Sequence, residues 1–510
     1  MKQSLSLDLA ASVLGKCLTG GLLFLFTPIY ISQMGVEAYG LLGFFAVLLG
    51  SCMFLDQAIS PVVSHRFAKA NAHRVVTADL WSTFRTAEAL ALVVGVLIAL
   101  AIVTAAPWIA DTMLNAKTMT PKRVQSTVQL MGLLVAAQWP SLVYGAALAG
   151  LGDQLAMNVL RTGAALLQWL GGALVLSFVS ASIEALLLWQ TFCFVLQAVL
   201  LRRRVKHKLT PTAESVGWNW ELLRDGWRFS AGTLLIGITG TILTQADKVL
   251  VSKMASLGDF AAYSLSFTVA SFVGVFVAQP VMAIAFPLFT HLTARGDEEI
   301  LTREYRRWTQ VVVLVIAPPV GALIFYSHDI LALWLGSGRV GLEAAEHYVP
   351  WIALGTMFNI LMMLPFNLQL AHGWTSLSVV KNLFILPIFL AVLWWGIPHW
   401  GPIVGAAAWL SINATYYLVE VPLMHRRLLR GSMWHWWLLD TGLPCLGSLL
   451  LFWALHAVFT TWFPLPALLG CGISTLVVAS SLLMVLPEGR WTVKTMLRRF
   501  TPSTATASSP

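Results

Sequence analysis

The amino-acid sequence predicts an all-α integral membrane protein of about 14 transmembrane helices, arranged as two parallel six-helix bundles around a central cavity, with two extra helices at the C-terminus. Three observations carry this reading. Of 510 residues, 58% are hydrophobic and 11% charged, whereas a soluble domain carries about 25% charged residues. The apolar positions gather into runs of about 20 residues bounded by Gly, Pro or charge. The order of features in the first half then recurs in the second. So little charge could not cover a surface in water, which excludes a soluble enzyme, a nucleic-acid binder and a disordered chain.

The expected spans are 8–31, 39–60, 84–106, 124–148, 157–179, 183–201, 229–252, 261–287, 309–327, 347–370, 377–397, 401–423, 437–460 and 465–486. They divide the chain into a first bundle (1–205), a linker (206–228), a second bundle (229–425), two additional spans (426–487) and a tail (488–510). Within the linker, Ser215 to Arg228 alternates Trp218, Trp220 and Trp227 with charge, and a short helix lying on the membrane surface is expected there. The tail beyond Pro487 ends in a Ser/Thr/Pro stretch with nothing to bury and is expected to be disordered.

The net charge of +9 matters less than the side on which it lies. With the N-terminus inside, 25 Lys and Arg fall on the inner side and six on the outer, Lys16 apart. The positive-inside rule then puts both termini in the cytoplasm. Cys17, Cys52, Cys193, Cys445 and Cys471 all lie in apolar runs at irregular spacing, which suits neither a disulfide framework nor a metal site. Asp8 and Lys16 interrupt the first apolar run, so no cleavable signal peptide is expected.

Ile31-Ser32-Gln33-Met34 closes the first span, and Val251-Ser252-Lys253-Met254 closes the seventh, 220 positions later. Tyr39 and Tyr263 open the spans that follow, and Arg161 in span five precedes Lys381 in span eleven by 220. Six spans per unit is an even number, so the two units run parallel and face each other across a cavity.

The opening helix of each half carries a polar stripe. Asp8, Ser12, Lys16 and Thr19 share one face of the first span, and Thr233, Gly237, Thr241, Thr244 and Lys248 share one face of the seventh. Such a stripe faces protein or a watery cavity, and hydroxyls that glue helices together account for Ser and Thr equally well. Lys16 lies roughly 12 Å into its span, beyond easy snorkelling, and reads as functional. Arg161 and Lys381 are shallower, where snorkelling and substrate contact serve equally. These three cations are the candidate substrate-binding residues; Asp8, Ser12, Thr19, Thr241, Thr244, Asp247 and Lys248 are the candidate polar lining. Asp56, Glu184, Asp247 and Glu420 sit near span ends, where a solvated or paired carboxylate is the default. Asn413 heads a glycosylation sequon but lies inside a span. No hydrolase, phosphate-loop or metalloprotease motif is present, so no catalytic residue, metal or cofactor is expected.

Pro28-Ile29-Tyr30, Gly35, Tyr39-Gly40 and Asp56 ahead of a basic loop resemble the opening of bacterial polysaccharide flippases of the O-antigen (Wzx) type, in the multidrug/oligosaccharidyl-lipid/polysaccharide exporter superfamily. Asp247-Lys248-Val249-Leu250, Phe286-Pro287-Leu288-Phe289 and Ile330 to Gly336 are similar to that family's second half. One departure is Gln57-Ala58 after Asp56, where the family has an apolar residue and Gly. The resemblance implies alternating-access transfer of an undecaprenyl-pyrophosphate-linked oligosaccharide across the bacterial inner membrane, serving O-antigen or lipopolysaccharide synthesis. It implies as partners the lipid-linked oligosaccharide, membrane lipids, a polysaccharide polymerase and a chain-length regulator. The rival readings are a multidrug or toxic-compound exporter of the same fold, and a membrane-embedded polymerase or ligase. The first would call for deep carboxylates and the second for a large outer loop with catalytic Arg and His.

Overall fold

A computed structural model describes residues 2–73, 78–209, 220–336, 342–463 and 465–491, of which 2–14, 16, 57–58, 72–73, 78–79, 220–236, 275–279 and 342 are described by their backbone alone. The described chain is helical: α1 (Lys2–Met34), α2 (Val36–His73), α3 (Ala78–Thr112), α4 (Pro121–Gly150), α5 (Gln154–Phe178), α6 (Ile183–Lys208), α7 (Trp220–Met254), α8 (Leu257–Arg295), α9 (Glu298–Phe325), α10 (Ser327–Leu335), α11 (Leu342–Ala371), α12 (Ser376–Trp400), α13 (Ile403–Thr415), α14 (Val421–Leu428), α15 (Met433–His435), α16 (Leu443–Thr461) and α17 (Ala467–Val485). Two π-helical turns, Tyr416–Glu420 and Trp436–Gly442, join α13 to α14 and α15 to α16.

Among the described residues 11 stretches are long and apolar enough to cross a bilayer, so this is a multi-pass membrane protein. Three further expected spans, 229–252, 261–287 and 401–423, fall on α7, α8 and the α13–α14 rod, outside those 11. Prolines inside α1, α2, α3, α4, α8, α9, α11 and α12 do not break them, as neighbouring helices in a membrane re-satisfy the freed backbone groups. Where the chain must reverse, glycine does it: Gly35 at φ 86° separates α1 from α2 by a single residue.

Two differences from the sequence reading concern the loops. Residues 328–346, expected as an outer loop, begin with α10, an apolar nine-residue helix. From Trp220 the stretch expected as a separate surface helix is the first part of α7, which runs unbroken to Met254; 210–219 lie outside the described residues. The tail beyond Trp491 also lies outside them.

The helices group into two units. The first holds α1–α7, α8 as far as Thr268, α12 and the start of α13. In it α1 packs on α5, α2 on α4 and α7, α3 on α4, α4 and α5 on α6, and α7 on α12. The pairings α1 with α5 and α7 with α12 are related by the offset of the sequence repeat. At its basic end, Arg202 of α6 binds the buried Glu88 of α3, which also accepts Tyr144 Oη at 2.8 Å. Asp153, ahead of α5, accepts Arg204 Nε at 2.7 Å and lies 3.7 Å from Lys208 Nζ.

The second unit holds the rest of α8, α9, α10, most of α11, the end of α13 and α14–α17. Here the two additional spans dock on α9. Asp440, in the second π turn, accepts Arg306 Nε at 2.7 Å and Gln310 Nε2 at 2.6 Å. Trp436 Nε1 donates to Thr309 Oγ1 at 2.9 Å, and Arg307 Nε to Glu488 Oε1 at 2.8 Å. Further along, Phe452 stacks on Phe325 and fits against Gly321, where any side chain would collide with its ring. The π turn itself is held by Thr441 Oγ1 donating to Trp436 O, five residues back, at 3.0 Å.

Asp440 is 1% exposed and its partner Arg306 30% at the side chain. Asp440→Ala should therefore destabilise the second unit by roughly 2–4 kcal/mol, somewhat below the fully buried case, and lower the melting temperature of the detergent-solubilised protein. A second expectation concerns pH. The Arg204 guanidinium, with Lys208 beyond it, holds the Asp153 carboxyl below the usual carboxylate range. A depressed pKa gives a contribution that is present above the unfolded value, about 3.9, and lost as the pH falls through the folded one. Asp153→Asn should thus melt lower than the parent at pH 7, and the gap should close in acid below the carboxylate range.

Candidate functional site

Helix spacing places the sequence-expected residues on several different surfaces. Gly15 of α1 packs so closely on α5 that a Cβ there would lie 2.8 Å from Thr162 Oγ1. Backbone positions 16 and 161 are the immediate neighbours of that contact, so they lie at one level of the α1–α5 pair. The side chains of Asp8, Ser12, Lys16 and Thr233 lie outside those described. Thr19 is exposed and returns its hydroxyl to Gly15 O at 2.9 Å.

Arg161 fills the space beside Gly145 of α4; a Cβ at 145 would overlap the guanidinium. Its electrostatic neighbour is Asp56 of α2, whose carboxylate accepts a hydrogen bond from Ser60 Oγ. On the same two helices some buried polar atoms have no partner. Ser141 Oγ and Gln138 Oε1 on α4, and Asn158 Nδ2 on α5, are buried without a hydrogen bond. Ser141 is one turn from Gly145, and Asn158 one turn from Arg161, so each shares the face that meets at the contact. Asp56 was legible as a carboxylate at a span end. Ser141 and Asn158 were missed, although their spacings of four and three from Gly145 and Arg161 are visible in the sequence.

The equivalent place in the α7–α12 pair is built differently. Asn382 Nδ2 donates to Thr239 Oγ1 at 3.4 Å, and Lys381 is half-buried beside it. Asn382 follows Thr162 by 220 positions and Thr239 follows Gly15 by 224, so the two helix pairs meet at levels one turn apart in the register of the repeat. Thr241 lines a groove of about 690 Å³ between α2, α7 and α12, whose other walls include Ser51, Phe54, Gln245, Leu390 and Trp394. Thr244 is exposed, with its hydroxyl on Gly240 O at 3.0 Å.

Asp247 and Lys248 belong to a tight internal knot. Asp247 is fully buried and accepts Tyr263 Oη at 2.7 Å. Lys248 Nζ lies 3.3 Å from both carboxylate oxygens, 2.7 Å from Thr244 O and 3.8 Å from the centre of the Phe267 ring. Gly405 leaves room for the Tyr263 hydroxyl, which a Cβ would meet at 2.6 Å. Here the carboxylate and the ammonium answer each other.

The remaining span-end carboxylates are also engaged. Glu184 takes Arg123 through two bonds, at 2.7 and 3.0 Å, and the buried Glu420 takes Gln369 Nε2 at 2.8 Å. Asn413 is 1% exposed and its amide donates to Trp409 O, so the sequon is a packing residue. Among the described residues no three His, Cys, Asp or Glu converge as metal ligands, and the five cysteines are free thiols.

Against known proteins, residues 35–338 match the family described as "Polysaccharide biosynthesis protein". The chain belongs to this family. A Shigella flexneri protein, provisionally named as an O-antigen transporter, is 20% identical over 230 residues, which are 45% of this chain and 52% of that one. The chain thus spans about half the length of this curated relative. The fold is shared with solved structures of a MATE transporter and of MurJ. A multidrug resistance MATE family transporter in its inward-facing conformation superposes with a TM-score of 0.69 at 13% identity, covering 81% of this chain and 94% of its own. The lipid II flippase MurJ, inward closed, gives 0.64 at 12% identity, covering 93% and 97%. A MOP transporter from Pyrococcus furiosus, described as having a binding pocket of reverse polarity, gives 0.58 at 13%, covering 84% and 96%. At such identities the likeness shows the fold alone.

The knot around Asp247 should be structural. Tyr263→Phe removes its neutral donor and should cost about 1.5–3 kcal/mol, the range for hydrogen bonds to charged groups, read as a lower melting temperature of the purified protein.

Proposed function

We propose that this chain is a flippase that carries an undecaprenyl-pyrophosphate-linked oligosaccharide from the inner to the outer leaflet of the bacterial inner membrane by alternating access. The observation that carries the reading is the coincidence of a polysaccharide-biosynthesis family match over 35–338 with a transporter fold. In this proposal the chain has 14 spans with both termini cytoplasmic, and two parallel six-span bundles enclose a central cavity. The polar stripes of α1 and α7 line that cavity, and the cations Lys16, Arg161 and Lys381 meet the anionic head group. The basic residues gathered on one side support this orientation. Moving net negative charge outward is then favoured by about 2.3 kcal/mol per charge per 100 mV of an inside-negative potential. The name of the Shigella flexneri relative points to O-antigen as the polysaccharide served.

A second reading, export of toxic compounds, is favoured by the TM-score of 0.69 with the MATE transporter. Deleting the gene separates the two. The flippase reading expects loss of surface polysaccharide and accumulation of its lipid-linked precursor, with normal drug tolerance. Intact polysaccharide with raised drug sensitivity would favour the exporter and overturn the flippase.

Lys16 provides the residue-level test. A lone ammonium at this depth costs about 2.5–3.5 kcal/mol on insertion scales. Lys16→Ala should therefore insert and express at least as well as the parent, yet fail to restore polysaccharide to the deletion strain. Lys16→Arg, which keeps the charge, should restore part of it. Full restoration by Lys16→Ala would make the residue structural.

A further inference from the structure

The loop that joins α3 to α4 grips two corners of the first unit. At the α1–α2 corner, Glu37 in the first turn of α2 accepts Lys117 N at 2.8 Å, Thr118 N at 2.9 Å, Met119 N at 3.1 Å and Thr118 Oγ1 at 2.6 Å. At the α7–α8 corner, Asn115 Nδ2 donates to Lys253 O at 2.9 Å and to Ala255 O at 3.1 Å. Asn115 O accepts Leu257 N at 2.9 Å, and the residue forms an isolated parallel bridge with Ser256. Asn115 thus satisfies backbone groups that a helix end and a helix start leave without partners. Leu257 follows Glu37 by 220 positions, so the loop holds the same corner in both halves of the repeat.

The two grips differ in strength. Bonds to a carboxylate are charge-assisted and roughly twice as strong as the neutral bonds of Asn115. The α7–α8 corner also carries a cap of its own: Ser256 Oγ accepts Asp259 N at 3.1 Å and donates to Asp259 Oδ2 at 2.6 Å. It can therefore stay folded when Asn115 leaves. Beneath the loop, α2 and α8 meet through small residues. A Cβ at Gly40 would lie 2.7 Å from Leu257 O, and one at Gly43 2.6 Å from Ser264 Oγ. No side chain of α2 interlocks with α8 at these two positions, so the seam can part without unthreading.

We propose that the α3–α4 loop is a releasable latch, which stays fastened to α2 through Glu37 and lets go of the α7–α8 corner at Asn115 when the seam between α2 and α8 opens. The inference rests on the transport reading, which puts these corners at the outer surface and requires that face to open in each cycle. It adds which contact parts and which holds. The Asn115 side yields because its bonds are the weaker set and the corner it leaves keeps its own cap.

The test uses the full-length chain with its native cysteines replaced by serine. One variant combines Asn115→Cys with Ser256→Cys, directly bridged positions that suit a disulfide, and a second combines Glu37→Cys with Thr118→Cys. Transfer of a fluorescent undecaprenyl-diphosphate-linked oligosaccharide is measured in proteoliposomes. Oxidation should stop transfer in the first variant, with recovery on reduction showing that the protein is folded, and should leave transfer unchanged in the second. A substrate-free arm labels Ser264→Cys, at the seam, with a membrane-impermeant maleimide applied to the outer face of spheroplasts. Adding Asn115→Ala removes two neutral hydrogen bonds and should speed labelling by roughly tenfold. Unaltered transfer in the oxidised first variant, or labelling unchanged by Asn115→Ala, would overturn the latch. A block in the oxidised second variant would overturn the assignment of Glu37 as the side that holds. Absence of transfer by the parent chain would overturn the transport reading instead, and the labelling arm, which needs no substrate, would then decide the latch by itself.

Discussion

A charge carried into hydrocarbon has to be answered from within the protein, and the way each is answered orders the helices. Asp440 fixes the two additional spans to α9 because Arg306 and Gln310 both converge on it. Glu88 ties α3 to α6 through Arg202 and to α4 through Tyr144. Asp247 ties α7 to α8 through Tyr263. In each case a carboxylate has at least two donors, and the result is a fixed joint. Arg161, with Asp56 as its electrostatic counterpart, makes no hydrogen bond among the described residues and so departs from that pattern.

The same constraint explains why the repeat survives in packing more clearly than in sequence. Thr162 against Gly15 and Asn382 near Thr239 mark the crossings of the α1–α5 and α7–α12 pairs, one turn apart in the register of the repeat. Close approach of two membrane helices needs small or hydrogen-bonding residues at the crossing, and several residue types meet that need. Identity can drift while the crossing stays. Beyond it the two halves differ, for α9 carries the terminal pair through Asp440 and Glu488, whereas α3 at the corresponding stage carries Glu88.

Composition and run length made the membrane class legible, since 11% charge leaves no soluble alternative. Helix ends were less legible: α2 and α6 continue through their basic segments as far as His73 and Lys208, beyond the apolar core that hydropathy detects. The short α10 and the two π turns carry no hydropathy signal of their own. At the candidate site, sequence singled out Arg161 and Lys381 by charge alone. It did not single out Ser141 and Asn158: their spacing is visible, but Ser and Asn in a span more often glue helices, and their lack of partners shows only in the structure. Asp247 and Lys248, expected in the polar lining, are bonded to each other and packed on Tyr263 and Phe267, pairings 16 and 19 positions apart that spacing alone does not show.

The most direct measurement of the central claim is transfer in proteoliposomes that contain only this chain and a fluorescent undecaprenyl-diphosphate-linked oligosaccharide, with leaflet exposure followed by an impermeant quencher. The account predicts protein-dependent transfer, accelerated by a potential that draws anions across in the export direction and lost in Arg161→Gln. Transfer no faster than in protein-free vesicles, or equally fast without Arg161, would contradict it.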